Sequence, residues 1–296
     1  MTSKFTAIAV LSLCLPGAQS LAASPPASAV RIVADVMING QGPFHFMLDT
    51  GATRPAISDA TLARLGLMAD AHKLIRLQGL SARVLAPQVR VRSLSFGPLR
   101  YKNIDLPVLA GPLLDGLDGI LGSQGLGATE VLVNLLDHRC IMMPSPRRAP
   151  AFPGAVSLPL LSQRLPMVGA TLAGVQVQVI IDTGAADTLG NQALLNALRQ
   201  AGSVQNLVES PAMIDATAAQ SMGLSGATPP LQLDQVSVPL PAITFADYQV
   251  FDRWDLTQRP AMLLGMDALA TLAGFSIDYG RLQLQLVPRS APTLSQ

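Results

Sequence analysis

The chain is poor in charge, cysteine and histidine. Of its 296 residues, only 13% are Asp, Glu, Lys or Arg, the net charge is +1, and there are two cysteines and three histidines. So small a net charge provides no basic field for nucleic acid. The histidines, at positions 45, 72 and 138, lack the spacing of a metal site. We therefore expect no nucleic-acid partner, no metal and no other cofactor.

The first residues are typical of an export signal. Lys4 precedes an apolar run over residues 5–15, which is too short to span a bilayer, and small residues follow it. This pattern predicts a signal peptide over residues 1–22 and a periplasmic or secreted protein without a membrane span. A buried N-terminal strand is the alternative. Removal of the leader would leave Cys140 as the single cysteine, in a strand-like stretch that favours a buried, inert thiol.

Two apolar triplets each run directly into an acidic residue. Residues 46–53 read FMLDTGAT, and residues 179–187 read VIIDTGAAD. Burying an ionised carboxylate at the end of an apolar strand is expensive, so such a residue needs a purpose. One Asp-Thr-Gly match arises easily by chance, but two copies in the same apolar setting are a much stronger signal. Asp49 and Asp182 are the acidic residues of the two copies.

The similarity extends well beyond these motifs and indicates a duplicated unit. Before each Asp the pattern predicts two strands joined at a glycine, and after it a short helix with an N-cap and a glycine stop. An apolar-apolar-Gly segment and a last strand pair follow. The offset between copies is 133 residues at the Asp motifs, 143 at the glycines and 141 at the last pair. In each pair the first-copy residue comes first: Gly40 and Gly174 (turns), Asp59 and Asn191 (N-caps), Gly66 and Gly202 (stops), Gly122 and Gly265, Asp137 and Asp278.

A proline-rich stretch separates the two copies. Residues 144–159 contain five prolines, a density that neither a helix nor a central strand tolerates. We predict a linker there, an N-terminal lobe over residues 30–143 and a C-terminal lobe over residues 160–288. The predicted fold class is all-β with a few short helices, in which two lobes pack about a pseudo-two-fold axis.

Two equivalent lobes would bring their carboxyl groups face to face. Two like charges a few ångströms apart cannot both ionise comfortably, so the pair shares one proton. The ionised member can then accept a proton from a water while the neutral member donates one to a substrate carbonyl. The glycine allows a sharp turn beside the carboxylate, and the threonine hydroxyl can donate across the axis. Asp49 and Asp182 are therefore candidate catalytic residues, supported by Thr50, Gly51, Thr183 and Gly184.

Over residues 30–288 the chain resembles the aspartic peptidases of the pepsin and retropepsin group, most closely bacterial retropepsin-like proteins with two fused copies. Both Asp-Thr-Gly motifs, the GILG and MLLG segments and the last strand of each copy carry the resemblance. It implies the bilobal acid-protease barrel fold and a dyad of Asp49 and Asp182. It also implies that each apolar-apolar-Gly segment packs behind its Asp in a psi-shaped loop.

The substrate-binding residues follow the family pattern less closely. Pepsin-like enzymes cover the cleft with a flap that carries a tyrosine, and no tyrosine stands at the expected place. Glycine-based flaps, around Gly79 in the first lobe and Gly223 in the second, are more similar to retropepsins. Asp187 follows the second motif where retropepsins hold the substrate backbone; a solvated loop carboxylate is the alternative. Trp254 is either a packing residue or a wall of the cleft.

These features predict an aspartic endopeptidase that binds an extended peptide or protein substrate and acts as a monomer. The alternative is a non-catalytic exported protein that uses the same cleft to bind peptides. A homodimer in which each motif pairs with its twin is a variant of the first hypothesis. Ala52 and Ala185 follow the two motifs where many acid-acting relatives have a hydroxyl. Alanine cannot donate that hydrogen bond, so the ionised carboxylate is stabilised less. We therefore expect a less acidic pH optimum than that of a stomach-type enzyme.

Overall fold

The computed structural model describes residues 31–137, 139–146 and 154–289, together with the backbone of residues 7–8 and 13–14. Strands account for 48% of the chain and helices for 11%. In chain order the strands are β1 (Ala7–Ile8), β2 (Leu13–Cys14), β3 (Val33–Ile38), β4 (Gln41–Leu48), β5 (Ala56–Ser58), β6 (Asp70–Gln78), β7 (Arg83–Phe96), β8 (Leu99–Leu109), β9 (Gly119–Leu121), β10 (Thr129–Asn134), β11 (Arg139–Pro144), β12 (Val156–Pro159) and β13 (Met167–Leu172). They continue with β14 (Val175–Ile181), β15 (Leu189–Gly190), β16 (Val208–Glu209), β17 (Met213–Ile214), β18 (Gln220–Ser221), β19 (Leu224–Gly226), β20 (Leu231–Leu233), β21 (Val236–Val238), β22 (Ile243–Phe245), β23 (Ala261–Leu264), β24 (Leu272–Asp278) and β25 (Gln283–Pro288). The helices are α1 (Asp59–Arg64), α2 (Gln192–Gln200), α3 (Gln249–Arg253) and α4 (Met266–Leu269), with a 3₁₀ helix at Gly111–Leu114.

The same strand arrangement surrounds each Asp-Thr-Gly motif. β3 and β4 form an antiparallel hairpin, and β4 then runs parallel to β9 with Leu48 opposite Leu121. In the second copy β13 and β14 form the hairpin, and β14 runs parallel to β23 with Ile181 opposite Leu264. β5 and β15 pair antiparallel with β9 and β23, respectively. Both acidic residues therefore follow a strand that is flanked by the same neighbours.

A short helix follows each motif, and residues at its two ends determine where it begins and stops. Asn191 caps α2, as predicted, because its Oδ1 accepts the Leu194 N–H at 2.9 Å. The first-copy prediction was wrong by one residue: Ser58, not Asp59, caps α1 through its Oγ, which accepts the Thr61 N–H at 3.0 Å. Gly66 and Gly202 end the helices, each with a φ of +64°, a conformation that glycine adopts without strain.

One continuous sheet joins the two copies. β10 pairs antiparallel with β24, and the order β3-β11-β10-β24-β25-β12 runs through a 13-stranded sheet. A separate nine-stranded sheet contains β13, β14 and β23. The predicted equivalence of Asp137 and Asp278 does not hold at the level of these residues, because Asp278 ends β24 whereas Asp137 lies in the turn after β10. The two hairpins, β10–β11 and β24–β25, are the equivalent features. The predicted all-β acid-protease barrel fold with few short helices is confirmed.

The proline-rich stretch is not irregular throughout. Strand β11 extends to Pro144, and β12 pairs antiparallel with β25 at its far end, with Val156 opposite Leu286. Pro159 is tolerated because β12 lies at the edge of its sheet and, among the described strands, pairs only with β25. Residues 147–153 of the predicted linker lie outside the described ranges. The lobe boundaries remain a prediction.

Most of the predicted leader lies outside the described residues, but two short pieces of it form backbone pairs. Ala7 and Ile8 pair in parallel with Leu77 and Gln78 of β6. Leu13 and Cys14 pair antiparallel with Ile214 and Met213 of β17. Within the part of the chain that the structure describes, no helix has the length and apolar character needed to cross a membrane.

Candidate active site

The two acidic residues occupy equivalent positions at the ends of their strands. The Asp49 N–H donates to the carbonyl of Leu121 at 3.1 Å, and the Asp182 N–H donates to the carbonyl of Leu264 at 3.0 Å. Each bond continues the parallel pairing of the preceding strand by one residue. The backbone of each Asp is therefore fixed by the apolar-apolar-Gly strand beside it.

The glycines that end these apolar segments let a loop pass close behind each Asp. A Cβ on Gly122 would lie 2.7 Å from the Arg54 backbone, and a Cβ on Gly265 would lie 2.5 Å from the Asp187 backbone. Side chains of any size would push the loop away at both places. Close backbone approach therefore explains why this motif ends in glycine in both copies.

The two threonines bind each other's backbone across the junction. The Thr50 N–H donates to Thr183 Oγ1 at 3.2 Å, and the Thr183 N–H donates to Thr50 Oγ1 at 3.1 Å. Each hydroxyl donates onward at 2.6 Å, Thr50 to the carbonyl of Ile181 and Thr183 to that of Leu48. All these groups are buried, so the four bonds fix the separation of the two strand ends.

Each motif glycine lies against the carboxyl group of the opposite copy. A Cβ on Gly51 would be 2.4 Å from Asp182 Oδ2, and a Cβ on Gly184 would be 2.4 Å from Asp49 Cγ. Neither glycine has a positive φ, so space and not backbone conformation requires glycine here. This contact is direct evidence that the two carboxyl groups are neighbours.

Both carboxyl groups are fully buried, at 0% exposure. Asp49 Oδ1 accepts the Ala52 N–H at 2.8 Å, and Asp182 Oδ1 accepts the Gly184 N–H at 2.9 Å. Among the described residues, neither Oδ2 atom accepts an N–H or O–H. These two oxygens are thus left for a proton or a bound molecule.

Burial raises the pKa of both carboxyl groups. For Asp49 desolvation is the main cause and the charge of Asp182 adds to it, so its pKa lies well above the ordinary range. Desolvation likewise raises the pKa of Asp182, although the backbone N–H groups of Gly184 and Ala185 oppose the shift. The two groups therefore share protons and titrate as a pair.

Of the two glycines predicted to form flaps, one lies in a hairpin turn and the other does not. Gly79 lies in the turn of the β6–β7 hairpin, where its N–H donates to the carbonyl of Ala82 at 2.9 Å. Gly223 is not at a hairpin tip, because residues 215–219 form the turn between β17 and β18. Instead, its backbone exchanges hydrogen bonds with Ser210, and a Cβ would lie 2.4 Å from the Phe245 carbonyl oxygen. The hairpin turn of the second copy therefore precedes Gly223, and the role of Gly223 in a flap stays a prediction.

Asp187 is partly buried beside the psi-like loop, close enough to interact electrostatically with Arg31. Its role in holding a substrate stays a prediction. Trp254 makes an edge-on contact with Phe251, with ring centroids 6.0 Å apart, and so serves as a packing residue. Cys140 is partly buried in β11, and burial raises the pKa of its thiol to about 11, in agreement with an inert thiol.

Several polar residues near the motifs were not found from the sequence. Arg31 donates to the carbonyl of Gly184 at 3.3 Å. Asp267 accepts the Thr188 hydroxyl at 2.7 Å, and burial raises its pKa to about 6. Asp215 lies in the turn between β17 and β18 and is 2% exposed. Of these three residues, only Asp267 could have been identified from the sequence pattern, because it closely follows the MLLG segment.

The arrangement provides two buried carboxyl groups that share protons, buried apolar residues around them and a hydrogen-bonded backbone frame. Such a pair can act as acid and base on one water and one carbonyl group. Within the described ranges, no group of three or more His, Cys, Asp or Glu residues is placed to hold a metal ion.

Comparison with known families agrees with this geometry. Residues 34–124 match the family model described as Aspartyl protease. The match covers the first Asp-Thr-Gly motif and its GILG segment, and it supports an aspartic peptidase family and protease activity for the chain. A comparison with curated proteins found no match.

Proposed function

We propose that the chain is an aspartic endopeptidase in which Asp49 and Asp182 together activate one water molecule. The observation that carries the proposal is the burial of two equivalent carboxyl groups against each other's motif glycines. A structural role alone gives no reason to bury two acidic groups side by side, because this arrangement is costly.

In the proposed reaction one carboxyl group of the pair is neutral and the other is ionised. The ionised group takes a proton from the water, whose oxygen attacks the peptide carbonyl carbon, while the neutral group protonates the carbonyl oxygen. The resulting tetrahedral diol then collapses: the protonated carboxyl group gives its proton to the leaving amine as the C–N bond breaks, and the ionised carboxyl group takes a proton from one diol hydroxyl, which becomes the carbonyl of the product acid. No covalent enzyme intermediate forms, and the pair ends with one proton, as it began. Acid–base help of this kind typically contributes about 10²–10⁴-fold.

We propose that the substrate is an extended peptide that pairs with the flap hairpins. Residues 7–8 already pair with β6, and residues 13–14 pair with β17. Both hairpins thus have edges that accept an added strand. Addition of a strand uses backbone hydrogen bonds for affinity and leaves side-chain pockets to set specificity.

The test compares Asp49→Asn and Asp182→Asn with the unaltered protein on a peptide library over a wide pH range. Each variant should lose cleavage by about a thousandfold or more and keep its fold, because two acid–base roles depend on one pair. Asp234→Asn, at an exposed turn position, is the matched control and should retain activity. If the unaltered protein binds peptides but cleaves none, the non-catalytic binding protein is the correct alternative.

We further propose that the chain acts as an exported monomer. Both carboxyl groups come from one chain, so the site is complete without a partner, and the leader-like sequence supports export to the periplasm or medium. Light scattering during gel filtration and fractionation of producing cells test these two statements. Activity that appears only in a dimer fraction would contradict the first.

A further inference from the structure

The turns of two hairpins, which we call the flap tips, lie on opposite copies of the repeat. The first flap tip is residues 79–82, between β6 and β7, and the second is residues 215–219, between β17 and β18. A bond from the Asp215 N–H to the carbonyl of Ala219 at 3.0 Å closes the second turn. Both turns are thus defined loops with their own internal bonds.

Each flap tip packs into the apolar cluster of the opposite copy. Leu80, at 0% exposure, belongs to a cluster with Ile180 and Leu263. Ala216, at 2% exposure, belongs to a cluster with Met47 and Ile120. Met47 and Ile180 stand two residues before Asp49 and Asp182, so their side chains leave the strands on the same side as the two carboxyl groups. The tips therefore cross, and each packs into the cluster that contains a residue of the strand leading to the opposite copy's Asp.

The side chain of Asp215 connects the two tips. Its Oδ1 accepts the Thr217 N–H at 2.8 Å and the Thr217 hydroxyl, and so organises its own turn. Its Oδ2 accepts the Ser81 N–H of the other tip at 3.1 Å. Gly79 lies directly against this carboxyl group, since a Cβ there would be 2.3 Å from Oδ2.

A second bond also holds the first flap tip, because the Val250 N–H of α3 donates to the carbonyl of Leu80 at 3.1 Å. Opening the tips would separate Ser81 from Asp215 and expose Leu80. Asp215 Oδ2 would then lose the Ser81 N–H donated from the other tip, whereas Oδ1 would keep its bonds to Thr217 within its own turn. The two oxygens of this carboxyl group therefore have separable tasks.

We propose that Asp215 is a positioning residue that latches the two flap tips over the acidic pair. This inference rests on the proposed function for its kinetic consequence, but the latch itself does not require catalysis. Asp215 holds the closed arrangement in which the first tip faces the substrate. If the latch is weakened, a smaller fraction of the protein has the tips closed. Part of the substrate's binding free energy is then used to close them, so the apparent affinity for substrate falls.

Two variants weaken the latch from opposite sides. Asp215→Asn can keep Oδ1 in the turn but places an amide N–H group opposite the Ser81 N–H. Gly79→Ala displaces the same carboxyl group from the other tip without a change of residue charge. Gly127→Ala is the matched control, because a Cβ there meets nothing within 4 Å.

Hydrogen exchange followed by mass spectrometry on the substrate-free protein is the first measurement. Both latch variants should accelerate exchange in peptides covering residues 76–84 by about tenfold, as expected for the loss of a bond to a charged group. The rest of the chain and the Gly127→Ala variant should exchange as the unaltered protein does. Unchanged exchange at the tip in both variants, or equal acceleration throughout the chain, would overturn the latch.

Steady-state cleavage is the second measurement. Both variants should raise KM by roughly tenfold and change kcat by less than about threefold, because the latch acts before the chemical step. Loss of kcat at unchanged KM would overturn the positioning role. If the unaltered protein cleaves no peptide, the proposed function fails, yet the exchange measurement still decides whether Asp215 joins the tips.

Discussion

Thr50 and Thr183 each donate a backbone N–H to the other's hydroxyl, at 3.2 and 3.1 Å, across the junction of the two copies. Each hydroxyl also donates to the carbonyl of the residue that precedes the other copy's Asp, Thr50 to Ile181 and Thr183 to Leu48. Neither strand end can therefore move alone. The distance between the carboxyl groups is thus set by buried hydrogen bonds outside the pair itself.

Thr50→Ala removes the hydroxyl and leaves the Thr183 N–H and the Ile181 carbonyl without this partner. Buried polar groups that lose their partners are costly, so we expect a loss of about 2–4 kcal/mol in the free energy of unfolding and a large loss of cleavage. Thr50→Ser keeps the hydroxyl and should behave nearly as the unaltered protein. Denaturant unfolding measures the first effect. Equal stability of the Ala and Ser variants would contradict it.

Gly184→Ala tests the contact between the motif glycine and the opposite carboxyl group. The added Cβ would fall 2.4 Å from Asp49 Cγ, so the pair must separate, and we expect cleavage to fall by at least a hundredfold. Gly169→Ala is the control, because a Cβ there meets nothing within 4 Å. Measured kcat/KM values compare the two. Retained activity in Gly184→Ala would show that the pair does not depend on this close contact.

The sequence was sufficient to find the pair, because the repeat marks both acidic residues with the same apolar strand, Thr and Gly. It could not reveal the Asp215 contact, since Ser81 and Asp215 are 134 residues apart and occupy turns without a shared pattern. The resemblance predicts a flap around Gly223, but in the structure this glycine allows a close approach to the Phe245 carbonyl. Local signals thus identified motifs, whereas contacts between turns depended on the tertiary arrangement.

Asp49→Asn should make the protein more stable at neutral pH. The folded-state pKa of both carboxyl groups is raised above the unfolded value of about 3.9. The folded protein therefore binds more protons than the unfolded chain above about pH 4 and loses stability as pH rises. Asp49→Asn removes one of the two carboxyl groups and with it most of this pH-dependent loss of stability. Its free energy of unfolding should therefore equal that of the unaltered protein at pH 4 and exceed it by roughly 1–3 kcal/mol at pH 7. Denaturant unfolding at both pH values measures it, with Asp234→Asn as control. An equal difference at both pH values would contradict this explanation.

The pH dependence of cleavage should reflect the same raised pKa values. The active form of the pair holds one proton, so activity is highest between the two apparent pKa values of the pair. Because burial raises both, we expect a bell-shaped profile with its maximum between about pH 4 and 7, less acidic than a stomach-type enzyme. A profile of kcat/KM against pH measures this. A maximum below about pH 3 would contradict it.

Arg31 should move that profile in a predictable direction. Burial lowers the pKa of its guanidinium group, and the charges of Asp115, Asp49 and Asp182 oppose this shift, in that order. The positive charge in turn favours the ionised form of the pair. Arg31→Gln removes the charge, so the acidic limb of the profile should shift upward by several tenths of a unit to about one unit. Arg31→Lys keeps the charge and should shift the limb less. A downward shift, or equal shifts in both variants, would show that Arg31 acts through its bond to the Gly184 carbonyl and not through its charge.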